Sequence, residues 1–174
     1  MARLLLLRHA KTERAAAGER DRDRKLTARG RADAPVVGAY MVRHRLLPEF
    51  VLTSPVVRAE ETLTGILAEF ATQPRVARVE RIYNASPATL IRLIRETRDA
   101  KTLLLVGHNP GMHDVALALI ASGDTETRER LAEKLPTSGL VVIDFAFDDW
   151  SRLHINSGKL ERFVSPRSIE AATD

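Results

Sequence analysis

The chain has 174 residues, of which 44% are hydrophobic, 29% charged and 5% aromatic, with 27 Lys and Arg against 23 Asp and Glu for a formal charge of +4. That length suits one domain with a core of its own. The absence of cysteine excludes a disulfide scaffold, a thiolate metal cluster and a cysteine nucleophile, and so few aromatics argue against a stacking platform for single-stranded nucleic acid.

Leu4 to Leu7 is a short apolar run ended by polar residues, the pattern of a strand buried on both faces of a parallel sheet. It is too short for a signal peptide or a membrane helix, so a cytoplasmic protein with no membrane partner is expected. Lys11 to Lys25 is the most polar stretch and reads as a mixed-charge loop. Thr27 can cap a helix running to about Arg45, with Ala34, Val37, Met41 and Val42 on its apolar face despite Pro35 and Gly38. Phe50 to Leu52 makes a second strand. Ser54-Pro55 is a start signal for a helix from Val56 to about Phe70 that buries Leu63, Ile66, Leu67 and Phe70.

Arg75 to Ile82 alternates apolar and polar residues, as a more exposed strand does. Ser86-Pro87 opens a helix carrying Leu90, Leu93 and Ile94. Thr102 to Val106 is another strongly buried strand, and Gly107 to Gly111 turns the chain into a helix through Ile120. Leu140 to Phe147 and Leu153 to Ser157 read as the last two strands. Strands alternating with helices imply an α/β fold, a three-layer sandwich with a mainly parallel central sheet.

Ligands of open α/β sheets bind beyond the carboxyl ends of the strands. Three such ends carry unusual polar residues here: Arg8-His9, Ser54 to Arg58, and Gly107-His108. Phosphoryl transfer asks a protein mainly to position a nucleophile and to stabilise charge on the equatorial oxygens. Arg8 and Arg58 suit the second task, because a guanidinium offers paired donors to phosphate and stays charged. His9 suits the first, since neighbouring cations disfavour protonation of its ring.

The run Leu4 to Lys11, with Arg8-His9 at its centre, resembles the Arg-His signature of the histidine phosphatase superfamily, which includes the phosphoglycerate mutases. Leu26-Thr27-Ala28-Arg29-Gly30, Thr53-Ser54-Pro55 through Arg58 to Glu61-Thr62, and Val106 to Pro110 continue the resemblance in order. Over so short a chain the pattern is similar to the compact SixA-type phosphohistidine phosphatases. It implies a phosphoglycerate mutase-like fold over residues 1–174, a single histidine phosphatase domain without a large cap insertion. It further implies that His9 is transiently phosphorylated while Arg8, Arg58 and His108 hold the phosphoryl group.

Lys11 can add charge at the pocket rim, and Asp21 and Arg24 fall where related compact members order the loop at the pocket mouth. Gly30 serves backbone conformation, and Asn109 and Pro110 shape the turn presenting His108. His44, His113 and His154 match no motif and read as surface or structural residues. Glu80 is the positional candidate for a proton donor, although an alternating strand would turn it to solvent.

Weak acid assistance suits phosphohistidine, because imidazole, with a pKa near ~6.5, leaves far more easily than an alkoxide. The expected function is therefore metal- and cofactor-independent hydrolysis of phosphohistidine on a partner protein. Hydrolysis of small phosphomonoesters, and a non-catalytic phosphate-binding module, stay open as alternatives. Nucleic acid is not an expected partner.

Overall fold

Four consecutive leucines need apolar cover on both faces, and Leu4 to Leu7 find it in the interior of the sheet, each fully buried. The computed structural model describes residues 1–173. The elements run β1 (Ala2–Arg8), α1 (Ala28–Arg43), β2 (Phe50–Thr53), α2 (Val57–Leu67), β3 (Arg75–Arg78), α3 (Pro87–Arg95), β4 (Thr102–Gly107) and α4 (Gly111–Leu119). They continue with β5 (Ile120–Gly123), α5 (Thr125–Glu133), β6 (Leu140–Phe145), β7 (Gly158–Val164) and α6 (Pro166–Thr173).

Among the described residues the strands form one seven-stranded sheet in the order β3-β2-β4-β1-β6-β7-β5. β1 is parallel to β4, and β2 to both β4 and β3. β6 runs antiparallel between β1 and β7, and β5 is parallel to β7.

The alternation within β1 sorts its leucines between two cores. Leu4 and Leu6 pack with Leu90, Leu93 and Ile94 of α3 and Met112 and Val115 of α4. Leu5 and Leu7 pack with Val37 and Met41 of α1 and Leu63 and Ile66 of α2. Helices thus cover both faces, the three-layer α/β sandwich expected from the sequence. Each such leucine contributes roughly 1.5–3 kcal/mol of burial.

Several boundaries differ from expectation. Arg75 to Ile82 is not one strand: Val79 N–H makes a last bond to the Thr53 carbonyl, where β2 ends. Without a partner beyond that point, Glu80–Ile82 turns as 3-10 helix. Leu153 to Ser157 is not a strand either. Asn156 adopts φ 54°, and the Asn156 and Ser157 amides bond the Ala118 and Leu119 carbonyls, so the strand starts later, as β7. Ile120 begins β5 instead of ending the preceding helix. α2 starts after Val56 and stops at Leu67, inside the expected bounds. Val42 lies on the exposed side of α1.

Two start signals hold. Thr27 Oγ accepts from the Gly30 N–H, and Ser86 Oγ from the Thr89 N–H with Pro87 in the first turn. Ser54 does not cap its helix; its hydroxyl turns to the site below.

Candidate active site

Because β1 and β4 are parallel neighbours in register, Arg8 opposite Gly107, the residues that follow them emerge side by side. The His9 and His108 rings lie 5.2 Å apart between centroids, tilted by 53°. Both are buried. His9 Nδ1 stands 2.8 Å from the Ala10 carbonyl oxygen. A carbonyl can only accept, so Nδ1 carries the proton and Nε2 of the neutral ring keeps its lone pair. Burial, opposed by this bond and reinforced by the cations Arg58, Arg8 and Arg24, pushes the His9 pKa down to about 4. His9 is a neutral base throughout the physiological range.

Burial first, then His9 and Arg58, pushes His108 down to about 3. Its Nε2 lies 2.8 Å from Ser54 Oγ, and that oxygen lies 3.5 Å from the Val56 N–H. The hydroxyl can accept from the amide and donate to Nε2, the arrangement in which the ring proton sits on Nδ1. His108 Nδ1 is buried with no hydrogen-bond partner among the described residues, and so is Arg8 Nε.

Arg58, in the first turn of α2, is buried and fixed by Asp21. One terminal nitrogen donates to the Asp21 backbone carbonyl at 2.8 Å and the other to its carboxylate at 3.0 Å. The Tyr83 hydroxyl donates to that same carboxylate oxygen, and Arg24 donates to the other oxygen at 3.0 Å. The hydroxyl of Tyr83, then Arg24 and Arg58, hold the Asp21 carboxyl well below the usual range. Arg24 also binds Thr12 Oγ and the Glu13 carbonyl, both at 2.9 Å. The loop between β1 and α1 is therefore gathered around one carboxylate beside Arg58.

Arg8 donates to the Leu135 carbonyl at 3.1 Å, and Asn109 Nδ2 donates to the same oxygen at 2.9 Å. Asn109 Oδ1 accepts from the His113 N–H at 3.2 Å, fixing the turn that presents His108. Thr62 Oγ donates to the Arg58 carbonyl at 2.7 Å and accepts from the Ala10 N–H at 2.9 Å, joining α2 to the chain after His9. The result is a buried neutral imidazole beside two guanidinium groups and a second imidazole, an arrangement able to hold a tetrahedral oxyanion against a nitrogen nucleophile.

Comparison with known proteins gives the family. The profile of the histidine phosphatase superfamily (branch 1) matches residues 4–82, the stretch containing Arg8, His9 and Arg58. An uncharacterised protein of Mycobacterium leprae is 38% identical over 151 residues, 84% of this chain and 89% of its own. The crystal structure of an Agrobacterium tumefaciens protein provisionally assigned as the phosphohistidine phosphatase SixA matches with TM-score 0.81 and 32% identity, covering 95% of this chain and 98% of that one. The chain belongs to the histidine phosphatase superfamily. A tungstate complex of the protein histidine phosphatase SixA shares the fold at TM-score 0.71 and 21% identity, with 95% and 97% of the two chains covered. Its fold is that of the phosphoglycerate mutase-like histidine phosphatases, in the SixA-type form.

Two of the sequence-derived candidates lie outside the cluster of imidazoles and guanidinium groups. Lys11 is exposed; its backbone carbonyl accepts from Thr27, and its charge acts on Asp33 of α1. Glu80 sits on the 3-10 turn, where both terminal nitrogens of Arg22 bind its carboxylate and lower its pKa. His113 Nε2 bonds the Leu131 carbonyl, and His154 is exposed. His44 packs against Tyr40 with the ring centroids 4.2 Å apart and the planes tilted by 39°. Among the described residues no group of three or more His, Asp or Glu could hold a metal ion. No helix among them is long and apolar enough to cross a membrane.

Sequence reasoning missed Tyr83 and the bond between Ser54 and His108. Tyr83 stands edge-on to the His108 ring at 5.5 Å while bonding Asp21. No spacing marks it, because its contacts come from a 3-10 turn that read as strand. Ser54 read as a helix cap, but the cap falls on Val56 and the Ser54 hydroxyl meets His108 instead.

Proposed function

We propose that this protein is a metal-independent phosphohistidine phosphatase acting on a partner protein through a phosphoryl group carried transiently on His9. One observation carries the reading. Asp21, which holds Arg58, and Glu80, the positional candidate for a proton donor, are each bound by arginines and depressed in pKa, the opposite of what a general acid requires.

A phosphohistidine substrate needs no such acid. When its second ring nitrogen is protonated, the imidazole leaves as a neutral molecule. His9 Nε2 attacks phosphorus, the substrate P–N bond breaks, and His9 becomes a phosphoimidazole that keeps its own Nδ1 proton. One phosphoimidazole is exchanged for another and no net proton moves. Arg8 and Arg58 hold the non-bridging oxygens, with His108 Nδ1 as a further donor. Water then attacks phosphorus, the His9 P–N bond breaks to return the neutral ring with its Nδ1 proton, and phosphate leaves with the protons of the water. The guanidinium groups supply the positive charge a metal would bring.

Two 3-10 turns lie in the connections bordering the pocket, one between β1 and α1 and another between β3 and α3. A cleft of about 270 Å³ lined by Asn84, Ser86, Pro87, His108 and Asn109 opens beside the second imidazole. Such an open border suits a phosphorylated side chain on a folded partner. The assignment of the Agrobacterium neighbour points the same way.

The test compares kcat/KM for phosphohistidine-bearing proteins with that for a panel of sugar and alcohol phosphates, all in excess EDTA. The expected result is a preference for phosphohistidine of at least about 100-fold, maintained under chelation. A preference for an alkyl phosphate, or activity restored only by added metal, would contradict the reading.

A further inference from the structure

β1 pairs with β4 as far as Arg8 opposite Gly107, and with β6 as far as Leu7 opposite Leu140. The Arg8 N–H donates to the Gly139 carbonyl at 3.1 Å, which carries the second pairing one residue further. Next along stand His9 and Ser138, and the Ser138 N–H lies 3.1 Å from both the Arg8 and the His9 carbonyl oxygens. Paired residues of adjacent strands share a face of the sheet. Val106, Leu7 and Leu140 share the face covered by α1 and α2. Beyond the ends of the strands these backbone bonds hold Ser138 against Arg8 and His9, whose ring lies 5.2 Å from that of His108.

Ser138 is 1% exposed, and its Oγ has no hydrogen-bond partner among the described residues. The other buried polar side-chain atoms in that condition are Arg8 Nε and His108 Nδ1, both in the oxyanion pocket. Buried polar groups are as a rule satisfied, so an orphan hydroxyl on the residue whose amide bonds Arg8 and His9 has a function to explain it. Ser138 also holds φ 58°, the left-handed region that disfavours a residue with a β-carbon. Strain of this kind concentrates where geometry serves a ligand. From the other side, Arg8 and Asn109 hold the same segment through the Leu135 carbonyl.

We propose that Ser138 is a further ligand of the transferring phosphoryl group, its hydroxyl donating to a non-bridging oxygen of the phosphate carried by His9. No bond forms to the serine, which supplies a neutral donor from the β6 side of the pocket. The inference rests on the reading of the His9 pocket as a phosphoryl-transfer site.

Ser138→Ala and Ser138→Gly separate the hydroxyl from the backbone, because glycine adopts the left-handed conformation freely whereas alanine keeps the original burden. Glycine also guards against a folding failure of the alanine variant. Calorimetric titration with orthovanadate and kcat/KM on a phosphohistidine protein are measured for both and for the wild type. The expected result is a loss of roughly tenfold in vanadate affinity and in kcat/KM, alike in the two variants, with no loss of Tm. Undiminished vanadate affinity in both variants, with wild-type binding intact, would overturn the role of Ser138 alone. A wild type that binds no vanadate would overturn the pocket reading together with it.

Discussion

The side chains that decide the chemistry are distinguished by which of their atoms are already bonded. His9 is fixed through Nδ1, which leaves Nε2 for the proposed attack. His108 is held through Nε2, and its Nδ1 has no hydrogen-bond partner among the described residues. Glu80 has both carboxylate oxygens on Arg22, which leaves it a poor proton donor. Glu80→Gln is therefore expected to change phosphohistidine hydrolysis less than about tenfold, under about 1.4 kcal/mol of barrier. A working general acid would lose on the order of 10² to 10⁴ in rate. Steady-state assays of the variant on phosphohistidine, with His9→Ala as blank, decide between these values, and a loss of several hundredfold would make Glu80 the donor after all.

The elements differ in how plainly the sequence announces them. β1 and β4 are legible as unbroken apolar runs because both faces are covered, and their carboxyl ends pointed to Arg8, His9 and His108. α5 escaped notice because Leu131 is its lone buried residue, so no apolar stripe marks it. β3 was overextended because alternation does not reveal where a strand's neighbour stops. Arg24 and Asp21 stood out by position, yet their convergence on Arg58 and Tyr83 depends on tertiary contacts that no spacing encodes. Gly30 shows the tolerance of this junction: a β-carbon there would lie 2.2 Å from the Lys11 carbonyl oxygen, in the bond that seats the loop after His9 on α1. Gly30→Ala is expected to destabilise the protein by about 1–3 kcal/mol and to lower kcat/KM with it. Urea unfolding measures the first, and an unchanged midpoint would show that the loop yields freely.

For the molecule as a whole, burying two neutral imidazoles ties stability to pH. Their folded pKa values, about 4 for His9 and about 3 for His108, lie below the ordinary 6.5. Between 6.5 and those values the unfolded chain binds protons that the folded chain refuses, so stability falls as pH falls. Nothing is lost above 6.5, where both states are neutral. At pH 5 the deficit is roughly 2 kcal/mol for each histidine relative to pH 7. Denaturation curves at the two values are expected to show it, with a smaller difference in His9→Asn; a flat profile would mean that these rings are protonated in the folded state. The same burial keeps His9 Nε2 available as a nucleophile.

Whether His9 itself carries the phosphoryl group is the claim on which the mechanism depends. Wild-type enzyme turning over a phosphohistidine protein can be quenched in alkali, which preserves the acid-labile P–N bond, and mapped by mass spectrometry beside His9→Ala. Phosphate is expected on His9 in the wild type, with neither turnover nor phosphoenzyme in a folded His9→Ala variant. Phosphate trapped on another residue, or full turnover without His9, would contradict the claim.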